Sequence, residues 1–390
     1  MSERESRAPR EGLHRDVLFT AALIVVRLVV LGLFLAEIGR GNFGGPDIVR
    51  FQALAHHGGT PWRDYPVEYA PLEFLLIKGL FGTGILAAAT RLALVAFATD
   101  IATWAAVRTG WGRRAGLLYL AVGLPVVILE LQRIDLAMVA VAMWAFVLLR
   151  RARPALGGAA LGLAVLAKLW PLVLIPGMWI RGRLRSAAGF AAVVVTGAIG
   201  WLLWGGSGAL SQVSSFRGAH GWEAGSTVGS FVWVFAGDQV HEEAGAARVG
   251  VAPGWAKLFL GVVLLSVLAC VWRRAVRRNE EVAGGPALTA VAALLLLSPL
   301  FSTQYVLWLL PWAAIAALDD DRPAVPLVAT FLICAATAVV ATFLYGGDTD
   351  PVVKAASLIR AVALGALVTY GLTAGTCARG LGTPTQSEAE

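Results

Sequence analysis

Charge is scarce in this chain. Of its 390 residues, 15% are Asp, Glu, Lys or Arg, while 58% are hydrophobic. A soluble globular domain carries about one-quarter charged residues, so a water-soluble enzyme and a disordered chain are both excluded. Lysine is rarer still, with Lys78, Lys168, Lys257 and Lys354 as its only positions. Cysteine occurs three times, at Cys270, Cys334 and Cys377, in or beside apolar runs. No pair stands in a polar loop where an oxidising compartment could join it, and no CxxC exists, which excludes a disulfide framework and a thiol redox motif. Histidine is as sparse, and no Cys/His ligand spacing appears, so no metal centre is expected. A phosphate-cradling glycine loop and a dinucleotide glycine fingerprint are also missing. A nucleotide-driven pump is therefore set aside, and no cofactor is expected.

What the chain does contain is long apolar runs. They have the length of membrane-crossing helices, longer than the alternating ten-residue strands of a membrane β-barrel. The expected spans are Val17–Ala36, Ile85–Val107, Ala115–Leu131, Ile134–Leu149, Ala155–Ala167, Leu169–Ile180, Ala187–Trp204, Trp255–Trp272, Pro286–Leu300, Tyr305–Ala317, Ala324–Tyr345 and Ala356–Thr376. A shorter apolar helix, Pro71–Phe81, lies in the first polar stretch. The reading is an all-α, multi-pass membrane protein of about 12 helices. It has one membrane domain over residues 17–376, a short tail at 1–16 and another at 377–390. The first apolar run is too long for a signal-peptide core and has no clear small-residue cleavage site, so it reads as a retained anchor.

Orientation follows from arginine. Read as two short helices turning near Lys168, the runs 155–167 and 169–180 place Arg150–Arg153 and Arg181–Arg185 on one side. Arg113, Arg114, Arg273, Arg274, Arg277 and Arg278 join them there. The positive-inside rule makes that side and both termini cytoplasmic. The net charge of +7 is explained by the same rule, and nucleic acid is not expected as a partner. The stretches 37–82 and 205–254, the turn at Lys168 and the loop 300–304 then all face outside, where the unusual polar groups gather.

Several of these groups admit two readings. Asp47, after Gly-Gly-Pro, stands at a helix start that a carboxylate would cap, or it is a functional carboxylate beside Arg50, Arg63, Asp64 and Glu68. His56 and His57 read as solvated loop residues. Arg133 and Asp135 are either a snorkelling cation with a capping acid or site residues. Arg91 and Asp100 stand about two and a half turns apart in one span and read as groups with partners inside the bundle. Lys168, in VLAKLWPLVLIP, costs a few kcal/mol at membrane depth unless paired or hydrated. It either snorkels outward or meets an anionic phosphate. Arg217, His220, Trp222, Glu223, Ser226 and Thr227 offer the donors, acceptors and indole face that a sugar uses, although Trp222 would equally suit an interfacial belt. Ser302, Thr303 and Gln304 can donate to a headgroup or cap the helix that follows.

These pieces, taken in order, carry a resemblance. The segments GPDIVRFQALAHHGGTPWRDYPVEYAPLEFLL, LQRIDLAMVA, GLAVLAKLWPLVLIP, RGAHGWEAGSTVGSF and LLLLSPLFSTQYVLWLLPW extend over about 270 residues. They resemble glycosyltransferase family 87, of the C superfamily of integral-membrane glycosyltransferases. Within it the likeness is to actinobacterial mannosyltransferases that extend phosphatidylinositol mannosides from polyprenyl-phosphate mannose. The resemblance implies that Asp47 is the general base and that Lys168 and Arg217 face the donor phosphate. It also implies that His220 and Glu223 lie near the sugars. Glu68, Arg133, Asp135 and Gln304 are counted with them as sugar or acceptor contacts. Where the family usually has Glu-Tyr-Pro-Pro, this chain has Glu68-Tyr69-Ala70-Pro71.

The implied activity is inverting transfer of a hexose, with mannose first in line, from a polyprenyl-phosphate sugar to a lipid or surface-glycan acceptor outside the cell membrane. Two alternatives stay open at this level. A lipid-linked-sugar flippase would use the same cations, but the chain shows no inverted repeat and its polar groups gather on one side. A silent scaffold of an envelope-synthesis complex would keep the fold without the chemistry.

Overall fold

Proline and glycine punctuate the helices of this protein, seen in a computed structural model that describes residues 3–42, 45–214, 220–237, 239–243, 245–318, 322–343 and 351–373. Pro46, Pro71, Pro154 and Pro351 each open a helix, where the missing N–H costs nothing and the fixed φ is already helical. The helices in chain order are α1 (Glu3–Gly39), α2 (Pro46–His56), α3 (Pro71–Phe81), α4 (Ile85–Trp111), α5 (Arg113–Val122), α6 (Val127–Glu130), α7 (Asp135–Arg150) and α8 (Pro154–Ala167). They continue with α9 (Ile175–Gly205), α10 (Ala209–Ser214), α11 (Thr227–Phe231), α12 (Gly254–Arg278), α13 (Gly285–Leu297), α14 (Leu310–Ala316), α15 (Ala324–Phe343) and α16 (Pro351–Thr373). A small antiparallel sheet in the second polar stretch, β1 (Trp222–Glu223), β2 (His241–Glu243) and β3 (Ala246–Val249) in the order β1-β3-β2, is the exception to an otherwise helical body.

Six described helices are long and apolar enough to cross a membrane: Arg15–Gly39, Ile85–Trp111, Leu184–Gly205, Gly254–Arg278, Ala324–Phe343 and Pro351–Thr373. Other expected spans are shorter or broken. Ala115–Leu131 is interrupted at Gly123, where α5 gives way to a 3-10 turn at Leu124–Val126 before α6; Pro125 cannot continue the helix ladder. The run after Ser302 starts as a 3-10 turn, Thr303–Trp308, and becomes helical only at Leu310. These interruptions put backbone ends among packed side chains, where their polar groups can be satisfied or used.

The doubling back near Lys168 is written in side-chain contacts. Helix α8 ends at Ala167, Lys168 is extended, and a 3-10 turn at Trp170–Leu174 leads into α9. Helical residues then run from Ile175 to Gly205, but not as a straight rod. The Ser186 hydroxyl donates to the Met178 carbonyl at 3.4 Å, whereas eight residues of straight helix span about 12 Å. The chain therefore reverses between them. Beyond that point α9 lies alongside α8, with Gly189 against Ala155, Gly158 against Ser186, Gly162 against Val193, and Gly197 against Leu166. From 158 against 186 through 162 against 193 to 166 against 197 the numbers rise together, so these segments run parallel, and glycine allows the close backbone approach. Residues 150–153 and 181–185 consequently share one end of the bundle.

The main core joins α4, α5, α7, α8, α12, α13, α14, α15 and α16 through residues such as Tyr119, Phe146, Trp272 and Trp312. A separate aromatic cluster, in which Trp62 meets Phe74, Trp201 and Trp204 edge-on or tilted, fastens the loop between α2 and α3 to the far end of α9. Trp62 adopts φ of 64° in that loop, a conformation non-glycine residues rarely take, while Thr60 N–H donates to Asp64 at 2.6 Å. The loop thus has one defined path, and it carries its polar residues to the end of the bundle opposite the arginine clusters.

Candidate functional site

At that end α2 begins with Gly45-Pro46-Asp47, so Asp47 stands in the first helical turn, where exposed N–H groups favour a carboxylate. The N-cap position itself is Gly45, which offers no side-chain cap. Asp47 forms an ion pair with Arg133, from the turn between α6 and α7, and the two side chains are 29% and 12% exposed. One turn later on α2, Arg50 pairs with Glu68 and lies over the Tyr69 ring at 5.6 Å.

Asp47, Arg50 and Arg133 line a cavity of about 690 Å³. Its other walls are Gln132, Thr303 and Glu242, with Pro125, Ile128, Leu129, Ala338 and Ala341 forming an apolar side. Arg50 also lines a second cavity of about 520 Å³, shared with His57, Glu68 and Gln212. The Arg50–Glu68 pair therefore stands between two open volumes.

A buried centre is built from four segments distant in sequence. Lys168 Nζ donates to Asp135 at 2.8 Å and to Glu73 at 3.1 Å. Asp135, the first residue of α7, also accepts the Trp308 indole N–H at 3.0 Å. The ammonium faces the rings of Tyr305 and Trp308 at 5.5 and 5.9 Å, and Trp308 stacks on Tyr305 and on Trp170. Two carboxylates and two aromatic faces thus surround one cation, which is how a charge is kept at such depth.

A third group ties the stretch 220–231 to the 298–304 turn. Burial pushes the Glu223 carboxyl above its ordinary range, although the Phe301 N–H, donating at 2.8 Å, pulls the other way. Ser226 caps α11 by accepting from the Gly229 N–H. Arg360, buried in α16, donates to the Gly225 carbonyl at 2.6 Å and covers the Phe301 ring at 4.2 Å. On the sheet, Glu243 accepts the N–H groups of His220 at 2.8 Å and Gly221 at 2.9 Å. These donors hold its carboxyl down at about 2.

The structure gathers Asp47, Arg133 and Glu68 around the cavities and joins Asp135 and Lys168 in the buried centre. Gln304 follows the cavity residue Thr303 and accepts from Ser302 at 2.7 Å. His220 is 87% exposed on the outside of the sheet, paired with Glu243, and does not line either cavity. Arg217 lies outside the described residues. His56 is exposed and bonds within its own helix, whereas His57 stacks on Tyr65. Asp100 finds its partner in Arg27 of α1, and Arg91 bonds to Thr83. Among the described residues no three His, Cys, Asp or Glu side chains converge as a metal site.

Sequence reasoning missed Glu73, Glu242 and Arg360. Glu73 carried a usable signal, since an acid in the apolar run PLEFLLIKGLF requires a buried cation. Arg360 carried the same signal in α16. Glu242 carried none, because an acid in a polar loop is ordinary.

Comparison with solved structures finds ArnT from Cupriavidus metallidurans in the apo state, at 18% identity and a TM-score of 0.42, covering 93% of this chain and 78% of that one. It also finds the same protein bound to undecaprenyl phosphate, at 15% identity and a TM-score of 0.39, covering 92% and 77%. No curated protein sequence matches the chain. The profile of glycosyltransferase family 87 matches residues 68–299, more than half of the chain, and includes Glu68, Glu73, Arg133, Asp135, Lys168 and Glu223; the chain belongs to glycosyltransferase family 87.

Proposed function

We propose that this membrane protein transfers a hexose, mannose first in line, from a polyprenyl-phosphate sugar to a lipid or surface-glycan acceptor, on the extracytoplasmic side of a cell membrane it crosses twelve times with both termini inside. The observation that carries the reading is the shared cavity. Two carboxylates, Asp47 and Glu242, and two guanidinium groups, Arg50 and Arg133, line a space with an apolar wall, which suits a sugar phosphate attached to a hydrocarbon chain.

In this reading the acceptor oxygen attacks the anomeric carbon from the side opposite the phosphate, and Asp47 takes the hydroxyl proton. The anomeric carbon–oxygen bond breaks with its electron pair passing to the phosphate, which leaves as polyprenyl monophosphate. The anomeric centre inverts in this single displacement. Arg133, Lys168 and Arg217 are the cations assigned to the growing phosphate charge. Lys168 acts from the buried centre and keeps Asp135 and Glu73 in place. Glu68, Glu223, His220 and Gln304 are assigned to sugar or acceptor hydroxyls, with Arg133 and Asp135 at the edge of that set. The reaction needs no metal or cofactor in this scheme.

The test is a transfer assay with the purified full-length protein, radiolabelled polyprenyl-phosphate mannose and a total lipid extract as acceptor. A labelled glycolipid that vanishes in Asp47→Asn is the expected result. Product only with another polyprenyl-phosphate sugar would change the sugar and keep the chemistry. Folded protein that makes product from no such donor would overturn the reading.

A further inference from the structure

In this structure the proposed base is not free. The Asp47 carboxylate, which has to accept a proton, is held by the Arg133 guanidinium, and both open onto the same cavity. A carboxylate engaged by a guanidinium has its lone pairs occupied and its proton affinity lowered. The other two positive groups near it are also matched, Arg50 by Glu68 and Lys168 by Asp135 and Glu73. An incoming phosphate therefore finds each of these cations already paired, and it must compete for one. Arg50 and Arg133 both border the open volume, which Lys168 does not line, and of these two Arg133 is the one that holds Asp47.

Resting on the transferase reading above, we propose that Arg133 is a positioning residue that exchanges partners: it holds Asp47 while the site is empty and turns to the donor phosphate on binding, which releases Asp47 as a base. The charges follow the chemistry. Before binding, Arg133 faces the single negative charge of Asp47. In the donor complex it faces the phosphodiester, also singly negative. As the acceptor proton moves to Asp47, that carboxylate becomes neutral, and the bonding pair leaving the anomeric carbon makes the phosphate a monoester. The guanidinium thus gains phosphate charge as its former partner loses its own, and the base is unmasked only when a donor is present to react.

Competition makes a prediction with an unusual sign. In the full-length protein in detergent, Asp47→Asn should bind polyprenyl monophosphate about threefold to tenfold more tightly than wild type, since a partly exposed ion pair no longer holds Arg133. Arg133→Gln should bind it more weakly. The double variant should match Arg133→Gln alone, because without the guanidinium there is nothing to release. Neutral polyprenol should show no gain in Asp47→Asn, and Arg133→Lys should restore part of the phosphate affinity.

Two results would overturn the exchange. One is unchanged or weaker phosphate binding by Asp47→Asn. The other is an equal gain from Glu242→Gln, an acid on the same cavity, which would mean a general field rather than a shared partner. Wild-type protein that binds polyprenyl monophosphate no better than polyprenol would instead remove the phosphate-donor reading itself.

Discussion

Two of the ion-paired regions of this bundle differ in what they leave open. In one, Arg27 of α1 and Asp100 of α4 are 1% and 3% exposed at 2.8 Å. Arg27 also donates to the Leu120 carbonyl, and Tyr119 donates its hydroxyl to Asp100 at 2.6 Å. In the other, Asp47, Arg50, Glu68 and Arg133 are between 12% and 29% exposed and border two cavities. The chemistry of the pairs is the same. The first is closed on every side and can only hold helices together, while the second can exchange a partner for a ligand. Access rather than charge separates a structural ion pair from a functional one.

The sharpest way to test that division is to remove one carboxylate from the open region. Asp47→Asn should lower kcat by about 10²- to 10⁴-fold, the range of general-base catalysis, with an unchanged thermal midpoint. A matching loss of stability would mean that the open pair is structural after all. Next in size, Arg27→Met leaves Asp100 buried without its cation and should cost about 3–5 kcal/mol of stability. Thermal unfolding in detergent measures this, and the specific activity of the folded fraction should equal wild type.

Lys168 belongs to neither region: it lines neither cavity, and both its carboxylate partners are buried. Lys168→Met would leave the buried Glu73 and Asp135 facing each other without their cation, with a loss of about 3–5 kcal/mol in thermal unfolding. Glu73→Gln should be milder, because it removes one of the two like charges. The smallest effect is expected at the surface of the sheet. Glu243 ordinarily titrates near 4.5 and is held at about 2 by the His220 and Gly221 N–H groups. A carboxyl lowered by folding contributes stability above its unfolded value and loses it as pH falls toward the folded one. Amide exchange at His220 and Gly221, corrected for intrinsic rates, should stay constant down to about pH 5 and rise between about 4.5 and 2.

Much of this was legible before any coordinates. The apolar runs located the helices, because burial in a bilayer is decided residue by residue along about 20 positions. Asp47, Arg133 and Lys168 stood out because charge beside apolar sequence demands a reason. The helix ends were less legible, and the break at Gly123–Pro125 or the 3-10 turn at Thr303–Trp308 left only a proline or a polar triplet as a trace. Glu242 and Arg360 were missed as site residues because their roles depend on which segments lie opposite them.

The amino-acid order by itself determined that this is a helical membrane protein, which arginine clusters share a side under the positive-inside rule, and which charges require explanation. These are local properties, set by transfer of each segment between water and lipid. Only the tertiary structure decided the pairings: Arg27 with Asp100, Lys168 with residues 33 and 95 positions away, and Asp47 with Arg133 at the edge of a cavity. A charge selects its partner by distance in space and by the dielectric around it. Both quantities exist only once α1, α4, α7 and α8 have packed.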